Sequence, residues 1–125
     1  MFKEFTQRYQ IKMDRVIKHK EYLSLLGTAK RKEKRNLLID FASNADIKAI
    51  AEIIFNLLHG TFPLTDREKR TLRRYQQVLR AIAKKSNSYK IKRNLLKQHG
   101  GGFLSFLIPA ALSAAVSAVT SILEK

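Results

Sequence analysis

Cysteine is absent from the chain, which excludes a disulfide scaffold and any thiolate-held zinc site. Two prolines and five glycines leave few helix breakers, and Leu, Ile, Ala, Lys and Arg are abundant, so the composition points to helix rather than sheet. Acid is scarce as well: ten Asp and Glu stand against 25 Lys and Arg, a formal net charge of +15 in 125 residues. That exceeds what solubility needs and calls for an anionic partner, whether nucleic acid, an acidic membrane surface or an acidic protein. Charge itself is missing from one place, the 21 residues 103–123.

The expectation is an all-α protein, a small helical bundle of about four to five helices with a separate hydrophobic C-terminal helix after a glycine hinge. Residues 1–19 read as an amphipathic basic helix, with Phe2, Phe5, Tyr9, Met13, Val16 and Ile17 recurring at helical spacing. No apolar core of signal-peptide length interrupts Met1 to Phe5, so Sec-type export is not expected. Residues 20–99 form the basic helical body. A short apolar group, Tyr22, Leu23, Leu25 and Leu26, is expected to stop at Gly27.

The core helix follows, with Asn44 as N-cap, Asp46 in its first turn, and Ile47, Ile50, Ala51, Ile54, Leu57 and Leu58 on its apolar stripe. Gly60 is the expected C′ residue, and Phe62-Pro63-Leu64 a turn. Thr65 and Glu68 make a capping box that opens a helix from Arg67 to Lys85; Ser86-Asn87-Ser88 ends it before a last basic helix.

Charge is unevenly spread. Between Asp66 and Gln98 there are twelve Lys and Arg against two acids, whereas residues 44–65 carry one against two. Candidate nucleic-acid contacts are Lys30, Arg31, Lys32, Lys34 and Arg35 in the first basic cluster. Arg67, Arg70, Arg73, Arg74, Arg80, Lys84, Lys85, Lys90, Lys92, Arg93 and Lys97 extend the set along the helices after the capping box.

Residues 100–102 are three consecutive glycines, read as a hinge, and residues 103–125 as a hydrophobic tail. Its candidate membrane or capsid contacts are Phe103, Leu104, Phe106, Leu107, Ile108, Leu112, Val116, Val119, Ile122 and Leu123. Twenty-one residues at about 1.5 Å each cross roughly 30 Å, so a spanning helix is geometrically allowed. Ser113, Ser117, Thr120 and Ser121 also suit an interfacial helix or one packed on a protein partner, and a tail folded back into the core is the soluble alternative.

Catalytic chemistry has no motif here. His19, His59 and His99 lie about forty residues apart without metal spacing, and the acids are scattered. The only glycine run lacks the Lys-Ser/Thr of a phosphate loop. A non-enzymatic protein without metal or cofactor is expected. The alternatives are a membrane-inserting or tail-anchored cationic protein and a helix-turn-helix regulator.

The order of features resembles a family of small basic proteins of Maverick/Polinton-type elements and adintoviruses. It is carried by residues 45–58, by His59-Gly60-Thr61-Phe62-Pro63-Leu64-Thr65, by the basic helix from Arg67, and by Lys92-Arg93-Asn94-Leu95-Leu96 leading to Gly101-Gly102-Phe103-Leu104. The similarity covers about residues 20 to 115. It implies a virion component of the adenovirus core or membrane-active minor capsid type, with DNA, capsid proteins and membrane lipid as partners. The implied location is the virion, with the host nucleus during assembly. It also makes Gly101 and Gly102 a candidate cleavage position for an adenovirus-type protease, although Gln98 stands where such proteases take an aliphatic residue.

Overall fold

A computed structural model describes residues 15–59 and 64–123, with the side chains of the last helix described as far as Ser113. Among the described residues every regular element is helical, as expected. The elements are α1 (Lys20–Thr28), α2 (Lys32–Asp40), α3 (Asn44–Leu58), α4 (Asp66–Arg74), α5 (Gln76–Ala83), α6 (Tyr89–His99), a 3₁₀ turn (Gly100–Gly102) and α7 (Leu104–Leu123). A helical turn at 15–18 precedes α1. The expected amphipathic helix of residues 1–19 lies mostly outside the described residues, as do Gly60 and the Phe62-Pro63 turn.

α3 is the element around which the others pack. Ile47, Ala49, Ile50, Ala51, Ile53, Ile54 and Leu57 are buried, covering most of its circumference, and α1, α5 and α6 lie against it. The N-cap is Ser43 rather than Asn44: the Asp46 N–H donates to Ser43 Oγ and the Ser43 N–H donates to Asp46 Oδ2, both at 3.0 Å. A reciprocal box needs a three-residue spacing, and Ser43 has it from Asp46. Asn44 begins the helix instead and turns its side-chain oxygen toward Arg93.

The capping box at Thr65 and Glu68 forms as read, at 3.2 and 3.0 Å. The helix it opens does not run to Lys85. It breaks at Tyr75, whose backbone (φ −103°, ψ 12°) leaves helical geometry between α4 and α5. The Tyr75 ring packs edge-on against Phe103, with centroids 5.4 Å apart at 62°, so a tertiary contact sets the break.

The largest departure from the sequence reading is the tail. Phe103, Leu104, Leu107, Ile108 and Ala111 are at most 1% exposed and belong to the same cluster as Ile47, Ile50, Ile54 and Leu79. α7 is therefore not separate over this stretch; it lies along α1, completing the core. Gly27 does not stop α1 but sits buried inside it, where a Cβ would stand 3.1 Å from Ile108 Cγ2. The physical reason is supply: the basic helices bring too few apolar residues to close an interior around α3, and α7 brings the rest.

The glycines are not a hinge. Gly100 is right-handed (φ −57°, ψ −29°) and none of the three has a positive φ. Space is tight at Gly102, against the Tyr75 ring, whereas the side chains facing Gly100 and Gly101, Leu104 and Arg35, can move. A Cβ on Gly102 would stand 1.9 Å from Tyr75 Oη, and one on Gly101 2.6 Å from Arg35 Nη2. A packed helical turn joins α6 to α7.

Burial of four large side chains at about 2 kcal/mol each is about 8 kcal/mol, comparable to the roughly 5–15 kcal/mol that holds an entire domain folded. A chain ending at Gly102 is therefore expected to lose its cooperative thermal transition by circular dichroism. A sharp melt from that truncation would show that α7 is dispensable. Gly102→Ala is expected to destabilise by about 1–3 kcal/mol through overpacking against Tyr75, read by urea unfolding.

Candidate nucleic-acid interface

α4 has an unusual surface for a helix of a folded domain. None of its residues is fully buried; Leu72 and Thr71 are partly covered, and Arg67, Lys69, Arg70, Arg73 and Arg74 are exposed. Its two acids, Asp66 and Glu68, sit in the first turn, where they favour the helix dipole, and Arg73 and Arg74 sit in the last turn for the same reason. Arg67, Arg70 and Arg74 follow at i, i+3 and i+7 along one stripe. α5 continues the chain beyond Tyr75, burying Leu79 and Ile82 and leaving Arg80 in solvent.

The turn from α5 to α6 is held by Asn87, whose Nδ2 donates to the Ala81 carbonyl at 2.8 Å, and by Ser88, whose Oγ accepts from the Ile91 N–H at 3.3 Å. Lys84, Lys85 and Lys90 are exposed around it. Ser86-Asn87-Ser88 thus breaks the helix as the sequence implies, with Ser88 as cap.

A second cationic group stands at the amino end of α2. Lys30, Arg31, Lys32 and Lys34 are exposed there, with Glu33 the only acid in the first turn. Positive charge at a helix N-terminus opposes the dipole, so this end is electrostatically unfavourable until an anion approaches.

Twelve of the sixteen candidate cations are exposed, and the other four are partly or fully buried. Arg93 donates from Nη1 to the Ile39 carbonyl (2.9 Å) and from Nη2 to Asn44 Oδ1 (3.0 Å), tying the end of α2 to the start of α3. Lys97 pairs with Asp40 at 2.7 Å. Arg35 is partly buried and lies against Gly101. Lys92 is buried. Sequence reasoning passed over Lys18, Lys20, Lys48 and Lys69, all exposed; Lys48 lies in a stretch whose net charge is negative, and nothing in the pattern marks it. Among the described residues, Lys and Arg form ion pairs at Arg15 with Glu52 and at Lys97 with Asp40.

The other sequence candidates fall differently. Phe103, Leu104, Leu107 and Ile108 are interior, Phe106 and Leu112 are partly buried against the core, and the side chains of Val116, Val119, Ile122 and Leu123 lie outside the described residues. Among the described residues no helix is long and apolar enough to cross a membrane. Gly101 and Gly102 lie in a helical turn fenced by Arg35 and Tyr75, not in the extended loop that proteolysis favours.

The histidines have local roles. His19 Nδ1 and Asp46 Oδ1 are 2.6 Å apart, and His59 lies 2.7 Å from the Phe55 carbonyl with its ring 4.2 Å from that of Phe55. Tyr22 donates to the Leu38 carbonyl at 2.9 Å; burial, reinforced by the Asp46 carboxylate, raises its pKa well above the ordinary phenol value and keeps it neutral. No group of three or more metal-ligating side chains occurs among the described residues.

Because Arg93 satisfies a buried carbonyl, Arg93→Ala is expected to lower stability by about 1.5–3 kcal/mol in urea unfolding, while Arg70→Ala leaves it within about 0.5 kcal/mol. Equal losses at the two positions would contradict this division of the cations. Comparison of the chain with protein-family models, with curated proteins and with solved structures gives no match.

Proposed function

We propose that this is a non-enzymatic structural protein of a virus or virus-like element, of the core or minor capsid type, that binds DNA through its basic helices without reading sequence. The observation that carries the reading is the set of twelve exposed cations on α4, α5, the α5–α6 turn and the amino end of α2, none in an ion pair among the described residues. Such an array neutralises phosphates and releases their condensed counterions. Self-repulsion at +15 is relieved when a polyanion is present.

The viral setting rests on the resemblance of residues 20–115, with capsid proteins as further partners, the virion as location and the host nucleus as the place of assembly. An acidic capsid lining offers the same complementary charge as DNA. The membrane-active role assigned to the tail is not carried forward for Phe103, Leu104, Leu107 and Ile108, because those side chains are already committed to the core.

The test is fluorescence anisotropy of a random-sequence duplex against salt. Six to ten phosphate contacts are expected to give a log–log slope of about −5 to −9, equal for unrelated sequences. The double replacement Arg70→Ala with Arg74→Ala is expected to make that slope shallower by about 2. Absence of binding at low salt would remove the nucleic-acid reading, and a strong preference for one duplex sequence would favour a regulator instead.

A further inference from the structure

Between α3 and the α5–α6 turn lies a cleft of about 580 Å³ that the surface array does not explain. Four cations line it: Arg15, Lys48, Lys85 and Lys92. One acid, Glu52, lines it too and is paired with Arg15. Lys48 and Lys85 are exposed at its edges, but Lys92 is only 6% exposed.

Lysine commonly buries its stem and keeps its ammonium at the surface, and an ammonium held among other cations favours a counter-charge. Among the described residues Lys92 has no carboxylate within ion-pair distance; the Tyr89 ring centroid lies 5.9 Å from its Nζ. Desolvation, and then the ammonium of Lys48, lower its pKa, which is the direction that a nearby anion reverses.

The cleft also receives the amino end of α6. Ser88 caps that helix by accepting from Ile91, which leaves the first-turn N–H groups of Tyr89 and Lys90 without helical acceptors and directed to the same end. Two features, a lysine with no carboxylate in ion-pair distance among the described residues and a helix N-terminus, therefore converge where Ser88 and Lys92 line one cleft.

We infer that this cleft is a discrete phosphate-binding site, with Lys92 as the counter-charge, Lys48 and Lys85 flanking it, and the amino end of α6 supplying backbone donors. The ligand is one phosphate group, free or esterified. The assignment of a nucleic-acid source rests on the proposed function; the site itself does not. It differs from the exposed array in being a cleft rather than an open helix face, and saturable, with one phosphate per chain.

The test uses the full chain and inorganic phosphate, followed by amide NMR at constant ionic strength. Saturable shifts confined to residues 85–92 and to Lys48 are expected. Lys92→Met keeps the stem and removes the charge, and is expected to weaken phosphate binding about tenfold or more. Lys48→Gln with Lys85→Gln alters only exposed positions and is expected to do the same if Lys92→Met impairs folding.

A duplex titration of the same variants identifies the source. A salt slope shallower by about 1 in Lys92→Met assigns a backbone phosphate to the site. An unchanged duplex affinity with loss of the phosphate shifts assigns it to free or terminal phosphate. Loss of all duplex binding by the unaltered chain, with the cleft shifts intact, would defeat the nucleic-acid reading and leave the site standing. Shifts spread over every basic helix without saturation, or phosphate binding unaltered in both variants, would overturn the site.

Discussion

The contact of Phe103 with Tyr75 is the constraint on which the rest of the structure depends. Phe103 has no solvent exposure, and the ring against which it packs belongs to the single residue between α4 and α5. That contact fixes where the basic helix breaks and how the glycine turn passes beneath the Tyr75 hydroxyl. It also sets the start of α7, whose next turns bury Leu104, Leu107 and Ile108 beside α1.

The cations then sort into two kinds by where the backbone leaves them. Arg93 and Lys97 reach across elements to a carbonyl and a carboxylate, joining α6 to α2 and α3, and Arg35 lies against the glycine turn. Arg67, Arg70 and Arg74 project from a helix with no fully buried residue. The first kind can be regarded as mortar and the second as the exposed face, although both are drawn from the same residue types. Like-charged side chains crowd little in this arrangement, since Lys and Arg lay their apolar stems along the surface and keep their heads in water.

Much of the architecture was legible in the sequence where local chemistry decides it. The Thr65–Glu68 box, the Ser86-Asn87-Ser88 break and the apolar stripe of α3 all follow from interactions within one turn of helix. Ser43 was passed over because Asn44 beside it is an equally good cap by type, and only the spacing to Asp46 distinguishes them. What was not legible depends on partners distant in the chain. The break at Tyr75 answers to Phe103, and Gly27 answers to Ile108. The uncharged run 103–123 reads as a separable tail because composition changes so abruptly there, yet its first half is the interior that the preceding residues lack. Twelve of the sixteen candidate cations are exposed, but no periodicity separates Lys92 or Arg93 from Lys90.

The packing of Gly27 against Ile108 has a consequence for how the chain reaches its fold. The two residues are separated by about eighty positions, so closing this pair requires a long loop to be ordered late. Until then the apolar faces of α1 and α3 are uncovered in a chain that already carries 24 of its 25 Lys and Arg. Mutual repulsion among nascent chains keeps those faces apart. The charge that draws a polyanion to the finished protein thus also acts as its own chaperone while the last helix is still being added.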